Sequence, residues 1–237
     1  ATIFTLLMSN VGATVLLVPL AVNIAIGAGA DPAMFALTVA LATSNSFLIP
    51  THQVNALIMG PGGYRVIDFS SVVAGPWCTR LLADAGAEVI KIEPIGMGDV
   101  LRFTQPIADG DSRVYAHFNC GKKNVCLDLK SSEGVDIAKR LIAAADIVVE
   151  NFRPGVMARL GLDYSHVSHD LPGLIYCSIS GFGQTGALSQ SPAYAPVVHA
   201  LSGFDHVQSS VQEDAEMPLN SAVMVADFLA ATYAYGA

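Results

Sequence analysis

Charged side chains are distributed very unevenly along this chain, and this limits what each part can fold into. Asp31 is the only formally charged residue among residues 1–64, whereas all 12 lysine and arginine residues lie in residues 65–237. A globular domain that folds in water usually carries about 25% charged residues, so the first part does not have the composition of such a domain. The chain is therefore predicted to comprise two domains, residues 1–64 and residues 65–237.

The first part contains two apolar stretches of membrane length. Residues 11–30 are uncharged and mainly apolar, and as a helix they would reach across about 30 Å of hydrocarbon. Residues 32–59 form a second apolar stretch, which polar residues interrupt. The sequence predicts one or two hydrophobic, transmembrane-type helical segments here, and membrane association through residues 1–64.

Three motifs in this part, SNVGATVLLVPLAV, LATSNSFLIPTHQVN and NALIMGPGGYR, are similar to the C-terminal end of divalent-anion:sodium symporters. The resemblance covers about residues 1–65. In that family an SN-T tripeptide helps to bind sodium; Ser9 and Asn10 match its first two positions, and Val11 departs from the third. Two helices of a many-helix transporter cannot form a translocation path. The resemblance therefore implies a permease remnant, and an active sodium-coupled anion permease is the less favoured alternative.

Residues 65–237 alternate between short β-rich segments and helical patterns. The predicted strands are residues 64–69, 88–93, 124–129, 146–151 and 173–180. Pro76 stands where one helix begins and Gly86 where it ends, and Ser131 is placed to cap another helix. Nearly continuous apolar strands suit a parallel sheet that is covered on both faces. The alternation predicts an α/β fold with a Rossmann-like parallel sheet.

Composition disfavours several classes of function. The net charge of −8 argues against a nucleic-acid partner. The six histidines and four cysteines show no metal-binding spacing, so no metal site is predicted. The cysteines are interpreted as reduced thiols, which indicates a cytoplasmic location for the second part. They are Cys78, Cys120, Cys126 and Cys177.

A glycine-rich segment, GFGQTG, follows the last predicted strand and matches the G-x-G-x-x-G pattern of dinucleotide sites. Such a site needs a helix that starts within the glycines, whereas the next residues, which include Pro192, are typical of a loop. We therefore interpret Gly181, Gly183 and Gly186 as a candidate active-site loop that permits close approach of the backbone, and not as a site for NAD(P).

Five further motifs occur in order along the second part: VIDFSSVVAGPWCTRLLADAGAEVIKIEP, NCGKKNVCLDLKSSEG, ADIVVENFRPGVMARLGLDY, LIYCSISGFGQTG and PLNSAVMVADF. Together they resemble the family III CoA transferases, the carnitine/bile-acid-inducible group, over nearly all of residues 65–237. The resemblance implies acyl-CoA and a carboxylic acid as substrates and no permanently bound cofactor. YRVIDF then marks the point at which a permease ending is fused to a transferase beginning.

The resemblance implies a role for individual residues. The acyl-accepting nucleophile of the family is an aspartate that opens a helix, and it corresponds here to Asp227. Lys130 and Arg159 carry the fixed positive charge that CoA phosphates need. The alternatives are an ordinary helix N-cap for Asp227 and solvated surface charges for the two cations. The full set of predicted CoA-binding residues is Gly75, Leu127, Lys130, Asn151, Phe152 and Arg159.

The sequence departs from two branches of this family. Val73 replaces a glutamine of some members that act on formate and oxalate, and Pro94 and Pro192 replace two of their basic residues, so formyl-CoA transfer to oxalate is not expected. Racemases of the family pair the aspartate with a histidine, whereas Tyr194 and Ala195 occupy that motif here. Transfer of CoA is therefore favoured over acyl-CoA racemisation, which stays open as an alternative, as does a CoA-binding module without turnover.

Members of the family are longer than this second part and have a second domain and an interlocked homodimer. Asp227 lies close to the last residue of the chain, Ala237. The resemblance therefore implies that part of the substrate pocket and much of the dimer interface come from further sequence. Slow turnover, or none, is expected of the chain by itself.

Overall fold

The structure, a computed structural model, describes residues 10–44, 63–104, 112–210 and 221–237. The chain divides into two compact units, Ala1–Gly63 and Tyr64–Ala237. The division falls where the charge distribution changes along the sequence. The assignment of the two units to a permease remnant and a transferase domain is a separate prediction, which this division does not test.

Two apolar helices form the described part of the first unit: α1, Asn10–Gly27, and α2, Pro32–Ser44. They pack against each other, and Gly29, with a φ of 67°, permits the tight connection between them. Asp31, the single charged residue of this part, accepts a hydrogen bond at Oδ1 from the backbone N–H of Ala33 at 2.9 Å. Its carboxylate therefore satisfies a free donor at the start of α2, where negative charge is favoured.

Neither of these helices, and no other helix in the described ranges, is long and apolar enough to cross a membrane. The 18 residues of α1 and the 13 residues of α2 correspond to about 27 Å and about 20 Å of helix, against about 30 Å of hydrocarbon. The prediction of transmembrane-type segments is not supported, because the helix in the first apolar stretch ends at Gly27. Ser9 and the motifs of residues 45–62 lie outside the described residues, so the symporter resemblance stays a prediction.

Five strands of the second unit form one parallel sheet. They are β1 Arg65–Asp68, β2 Glu88–Glu93, β3 Lys123–Cys126, β4 Ile147–Glu150 and β5 Ile175–Ser178. Their order is β3-β2-β1-β4-β5, and every neighbouring pair is parallel. This is the strand order of a doubly wound, Rossmann-like sheet, and it confirms the predicted α/β fold.

Helices connect and cover these strands. In the described residues they are α3 Ala74–Asp84, α4 Arg113–Asn119, α5 Ser132–Ala143, α6 Val156–Arg159, α7 Tyr164–Val167, α8 Ala195–Ser202, α9 Phe204–Ser210 and α10 Val225–Gly236. Ser131 caps α5 as predicted, because its Oγ accepts from the N–H of Gly134 at 3.0 Å. α3 begins at Ala74, two residues before the predicted Pro76, since proline is tolerated throughout a first helical turn.

The alternation of side chains along the strands divides the core between the two faces of the sheet. Ile67 of β1 and Val148 of β4 belong to a cluster completed by α5, through Ala138 and Ile142. The residues next to them in the two strands join a second cluster on the opposite face, with side chains from α3 and α10. Because α10 packs against α3, the helix that begins near Asp227 is held on one face of the sheet.

Candidate active site

A cavity of about 440 Å³ opens where the strands end, and we call it the strand-edge cavity. Its walls come from segments that follow β1, β2, β3 and β4, which is the edge where doubly wound sheets bind ligands. Three of the predicted CoA-binding residues line it: Leu127, Lys130 and Phe152. They are brought together because β3 ends at Cys126, so the residues after it leave the sheet and form the wall.

Local hydrogen bonds set the direction of these side chains. The N–H of Lys130 donates to Oδ1 of Asp128 at 3.0 Å, which closes a short turn after β3 and leaves Lys130 exposed. In the same way, the N–H of Phe152 donates to Oε2 of the buried Glu150 at 2.8 Å. Both predicted residues therefore lie on turns that a carboxylate at the end of a strand, or just beyond it, stabilises.

The loop after β1 is held in a strained conformation at the entrance to α3. Val72 has a φ of 68°, in the left-handed region that β-branched residues avoid. Its N–H donates to Oδ2 of Asp99 at 3.2 Å. The side-chain amide of Asn151 binds both backbone groups of Ser71, the residue before Val72. Its Oδ1 accepts from the N–H of Ser71 at 2.9 Å, and its Nδ2 donates to the carbonyl of Ser71 at 2.8 Å. The amide of Asn151 thus positions the loop, and its predicted contact with CoA stays a prediction.

Two buried ion pairs lie beneath this loop. Lys91, at 1% exposure, pairs with Asp99 at 3.1 Å and donates to the carbonyl of Ser70 at 2.6 Å. Lys122 pairs with Asp68 at 3.1 Å. Burial acts to raise the pKa of Asp68, but the two lysines, with hydroxyl donors, outweigh it and lower the pKa overall. These pairs were not predicted from the sequence; the local signals were the consecutive lysines of NCGKKN for Lys122 and a lysine inside the apolar pattern of EVIKIE for Lys91.

The carboxylate of Glu93, which lines the strand-edge cavity, is held in place by several hydrogen bonds. Glu93, at the end of β2, accepts two hydrogen bonds from Arg102, at 2.7 Å and 2.9 Å, and one from Asn124 at 2.6 Å. Burial works to raise the pKa of Glu93, yet the donors from Arg102 and Tyr115 lower it to about 2. The cavity wall is therefore anchored by a carboxylate that remains ionised at any physiological pH.

Asp227 lines a different cavity, of about 380 Å³, which we call the Asp227 cavity. The residue lies in the first turn of α10, but the N-cap position belongs to Met224, so an ordinary N-cap role does not account for Asp227. Burial raises the pKa of its carboxyl group. Ala74, at the start of α3, and Tyr194 are among the other wall residues.

A third, smaller cavity of about 200 Å³ shares wall residues with each of the first two, and we call it the bridging cavity. It shares Phe152 with the strand-edge cavity, and Asn151, Gly181 and Tyr194 with the Asp227 cavity. Asn151 and Phe152, the two predicted residues that follow β4, therefore lie between the strand-edge cavity, which Lys130 lines, and the Asp227 cavity. An elongated ligand that extended through all three cavities would have its middle part next to the end of β4.

The structure does not place the remaining predicted residues in these walls. Arg159 is exposed on α6, although Val156 of that helix and Leu160, the residue after it, do line the strand-edge cavity. Gly75 packs beneath the loop after β1, where a Cβ atom would lie 2.1 Å from Cβ of Ser70. The glycine there is required by close packing, and its predicted contact with CoA stays a prediction, as does that of Arg159.

The GFGQTG segment is a loop, as expected from its sequence. No helix lies between the end of β5 and Ala195, so the segment lacks the helix start that a dinucleotide site requires. Gly181 lines both the bridging cavity and the Asp227 cavity, and a Cβ atom on it would lie 1.9 Å from that of Ala193. Gly183 and Gly186 have φ of 79° and 98° and lie outside these walls.

These features define a Rossmann-like domain with one cavity that is lined by Lys130 and another that is lined by a partly buried carboxylate, Asp227. Residues 62–237 match the model of CoA-transferase family III. The chain therefore belongs to this family, and the predicted family resemblance is confirmed.

Known relatives and solved structures agree with this assignment. The chain is 40% identical over 176 residues to human succinyl-CoA:glutarate CoA-transferase, with 74% of this chain and 40% of that protein covered. It is 45% identical over 154 residues to acetyl-CoA:oxalate CoA-transferase of Acetobacter aceti, with 65% and 40% covered. The crystal structure of a CAIB/BAIF family protein from Brucella suis superposes with a TM-score of 0.67 at 33% identity, covering 73% of this chain and 46% of that one. The chain thus spans less than half of the length of these proteins.

Proposed function

We propose that this chain takes part in the transfer of CoA between an acyl-CoA and a carboxylic acid, with Asp227 as the nucleophile. The observation that carries the proposal is a series of three cavities with shared wall residues, from Lys130, past Phe152 and Asn151, to Asp227. CoA lies in the strand-edge cavity with its phosphates near Lys130 and Arg159, and its thioester enters the Asp227 cavity. Leu127 and Phe152 supply apolar contacts along the way.

The first half of the reaction acylates the enzyme. The Asp227 carboxylate attacks the thioester carbonyl, the C–S bond breaks, and CoA leaves as a thiolate from an acyl–aspartyl mixed anhydride. The thiolate then attacks the aspartyl carbonyl of the anhydride. The C–O bond to the acyl group breaks, the first acid leaves as a carboxylate, and an aspartyl-CoA thioester remains.

The second half reverses these steps with the acceptor acid. The acceptor carboxylate attacks the aspartyl-CoA carbonyl and expels the thiolate, which forms a new mixed anhydride. The thiolate then attacks the acceptor's carbonyl, so that the new acyl-CoA forms and Asp227 returns as a carboxylate. Each step conserves the thioester's free energy in an activated acyl group, and no proton has to be moved by a general base.

Two features of the Asp227 cavity suit this chemistry. Burial raises the pKa of Asp227, which makes its carboxylate a better nucleophile than a fully hydrated one. The start of α3, at Ala74, lies in the same wall, and its N-cap Val73 makes no side-chain cap. Free backbone N–H groups at a helix start are suited to an oxyanion.

The acids that we propose are small dicarboxylic acids. The relatives named above act on glutarate and oxalate, which both carry a second carboxylate. Among the described residues that line the bridging cavity and the Asp227 cavity, Arg153 is the one cation. It is suited to bind the distal carboxylate while the other reacts at Asp227.

Acyl-CoA racemisation is the second candidate and is less well supported. It needs a second acid–base group facing the substrate opposite Asp227. Tyr194 lines that cavity where racemases of the family have histidine, and His199, the histidine nearest in sequence, is buried outside its described walls. A tyrosine could donate a proton there but is not poised to remove one near neutral pH.

The proposal extends to the whole protein as a cytoplasmic enzyme that functions as a homodimer, whose second domain completes the pocket. Residues 1–64 are then a permease-derived extension fused to the transferase domain. The lengths of the relatives agree with further transferase sequence, since this chain covers 40% of each of the two curated proteins.

Release of succinate in a single turnover tests the proposed function. Without an acceptor acid, mixing the chain with succinyl-CoA is expected to release about one equivalent of succinate per protein and to leave CoA bound to Asp227 as a thioester, measured by chromatography and by mass spectrometry of the intact protein. Asp227→Asn is expected to abolish the release, because a neutral amide does not attack a thioester usefully, whereas Asp170→Asn, at an exposed carboxylate, keeps it. Release that persists in Asp227→Asn, or is absent from the wild type, overturns the proposal.

A further inference from the structure

The helix that carries Asp227, α10, has no side-chain cap from the residue at its own N-cap position. Its N-cap residue is Met224, and no side-chain cap is formed there. The first N–H groups of a helix need acceptors from outside the helix, and a serine or aspartate at the N-cap usually accepts from the second or third helical residue. In α10 the second residue, Ala226, donates instead to Nε2 of His199, at 3.1 Å.

His199 comes from α8, 27 residues earlier in the chain, and it is fixed in place by burial. Its residue exposure is 3%, and its ring lies against that of Phe204, with 4.9 Å between the centroids. Because Nε2 accepts a hydrogen bond from Ala226, the imidazole is neutral and its proton is on Nδ1.

The other side of the ring faces a second buried carboxylate. Nδ1 of His199 lies 4.0 Å from Oδ1 of Asp205, on α9. Both atoms are buried, and neither has a hydrogen-bond partner in the part of the chain that the structure describes. A separation of 4.0 Å is too long for a hydrogen bond, but the negative charge of Asp205 still favours the proton on Nδ1 and hence the free lone pair on Nε2.

We propose that His199, oriented by Asp205, is a positioning residue that caps α10 from another helix and thereby fixes the carboxylate of Asp227. The inference rests on the proposed function of Asp227. Ala226 directly precedes Asp227, so the hydrogen bond from its N–H holds the same helical turn as the nucleophile. Farther along α10, Ala231 is fully buried in the core against α3, so loss of the cap loosens the first turn and leaves the helix body in place.

Two variants separate this role from simple packing. His199→Leu keeps an apolar side chain of similar size and removes the acceptor, whereas His199→Gln restores an acceptor oxygen at similar reach. In His199→Leu we expect the rate of succinate release from succinyl-CoA to fall about tenfold, a loss equivalent to about 1.4 kcal/mol, with CoA affinity unchanged. His199→Gln is expected to recover most of that rate.

Amide hydrogen exchange reports on the cap independently of the reaction. The Ala226 amide is expected to exchange about tenfold faster in His199→Leu than in wild type or His199→Gln, while amides beyond Ala231 keep their protection. Unchanged exchange at Ala226 overturns the capping role, whether or not the chain reacts with succinyl-CoA. Faster exchange with an unchanged rate of succinate release overturns the positioning role alone. No succinate release from wild type, with exchange as expected, refutes the proposed function and leaves the cap established.

Discussion

Asp227 combines a fixed position with an altered acidity, and both come from residues distant in sequence. Its cavity is lined by Ala74, Asn151 and Tyr194, from three separate segments. The same partial burial that forms this cavity raises the pKa of its carboxyl group. A carboxylate that is poorly hydrated is both more basic and more nucleophilic, so the two properties serve one function.

The raised pKa of Asp227 predicts the pH range in which the reaction rate falls on acidification. Attack on the thioester requires the carboxylate, so the rate of succinate release from succinyl-CoA is expected to fall as the pH decreases through the pKa of Asp227. Because burial raises that pKa, the fall is expected at higher pH than for an ordinary aspartate, near 3.9. The measurement is the burst rate as a function of pH. A midpoint at or below the ordinary value contradicts the prediction.

Lys130 and Arg159 are predicted to contribute differently to CoA affinity. Lys130 lines the strand-edge cavity, whereas Arg159 is exposed on α6 and is not among the residues that line it. Lys130→Ala is expected to weaken CoA binding by about 1.5–3 kcal/mol, as for a hydrogen bond to a charged group, and Arg159→Ala by less. Titration calorimetry with CoA measures both, with Lys139→Ala on exposed α5 as the control. Unchanged affinity in both variants would place the phosphates elsewhere.

At the scale of elements, the junction of β1 and α3 depends on Lys122. Its ammonium group donates to Asp68 at 3.1 Å, to Thr79 at 2.7 Å and to the carbonyl of Pro76 at 2.9 Å. One buried cation therefore links the end of a central strand to the first turns of the helix that lines the Asp227 cavity.

Lys122→Met is expected to destabilise the second unit by about 3–5 kcal/mol, because it leaves the Asp68 carboxylate buried without its nearest cation. Urea unfolding at neutral pH measures this, and Lys123→Met, at the exposed neighbouring lysine, is the matched control with little expected change. The pKa of Asp68 is lowered in the fold, so the contribution is present at neutral pH and is lost only as the pH falls below the ordinary aspartate range. Equal stability of the two variants contradicts this account.

The regular elements were predictable where the local pattern decides the structure. The apolar runs gave four of the five strands to within two residues at each end, and Ser131 marked the start of α5 correctly. The strand predicted at 124–129 was too long. Leu127 and Leu129 are apolar because they line the cavity and pack in the core, and they do not belong to the sheet. Short helices such as α6 and α7 were missed, since four residues carry no periodicity.

The site was only partly predictable for a related reason. Asp227, Lys130 and Phe152 lie in motifs that the family resemblance could match, and the structure places Lys130 and Phe152 in the wall of one cavity and Asp227 in the wall of another. His199 and Lys122 lie in no recognisable motif of their own chemistry. Their roles arise from tertiary burial beside a carboxylate, which a linear pattern does not encode.

At the scale of the whole molecule, the two units are built differently. The three apolar clusters of the described residues that form the core around the sheet contain no residue before Val66. The second unit therefore has its own core, as expected of an independently folding domain.

Residues 64–237 are consequently predicted to fold without residues 1–63. Expressed alone, they are expected to give a cooperative urea transition with the same midpoint as the second unit in the full chain. Loss of that transition, or a large shift of its midpoint, would show that the first unit is required for the fold.

The most direct test of the central claim is chemical trapping of the acyl–enzyme. Treating the chain with succinyl-CoA and then hydroxylamine converts an activated aspartyl group into a hydroxamate, which peptide mass spectrometry locates. The account predicts a hydroxamate at Asp227 in the wild type and none in Asp227→Asn. A hydroxamate on another carboxylate, or none in the wild type, contradicts it.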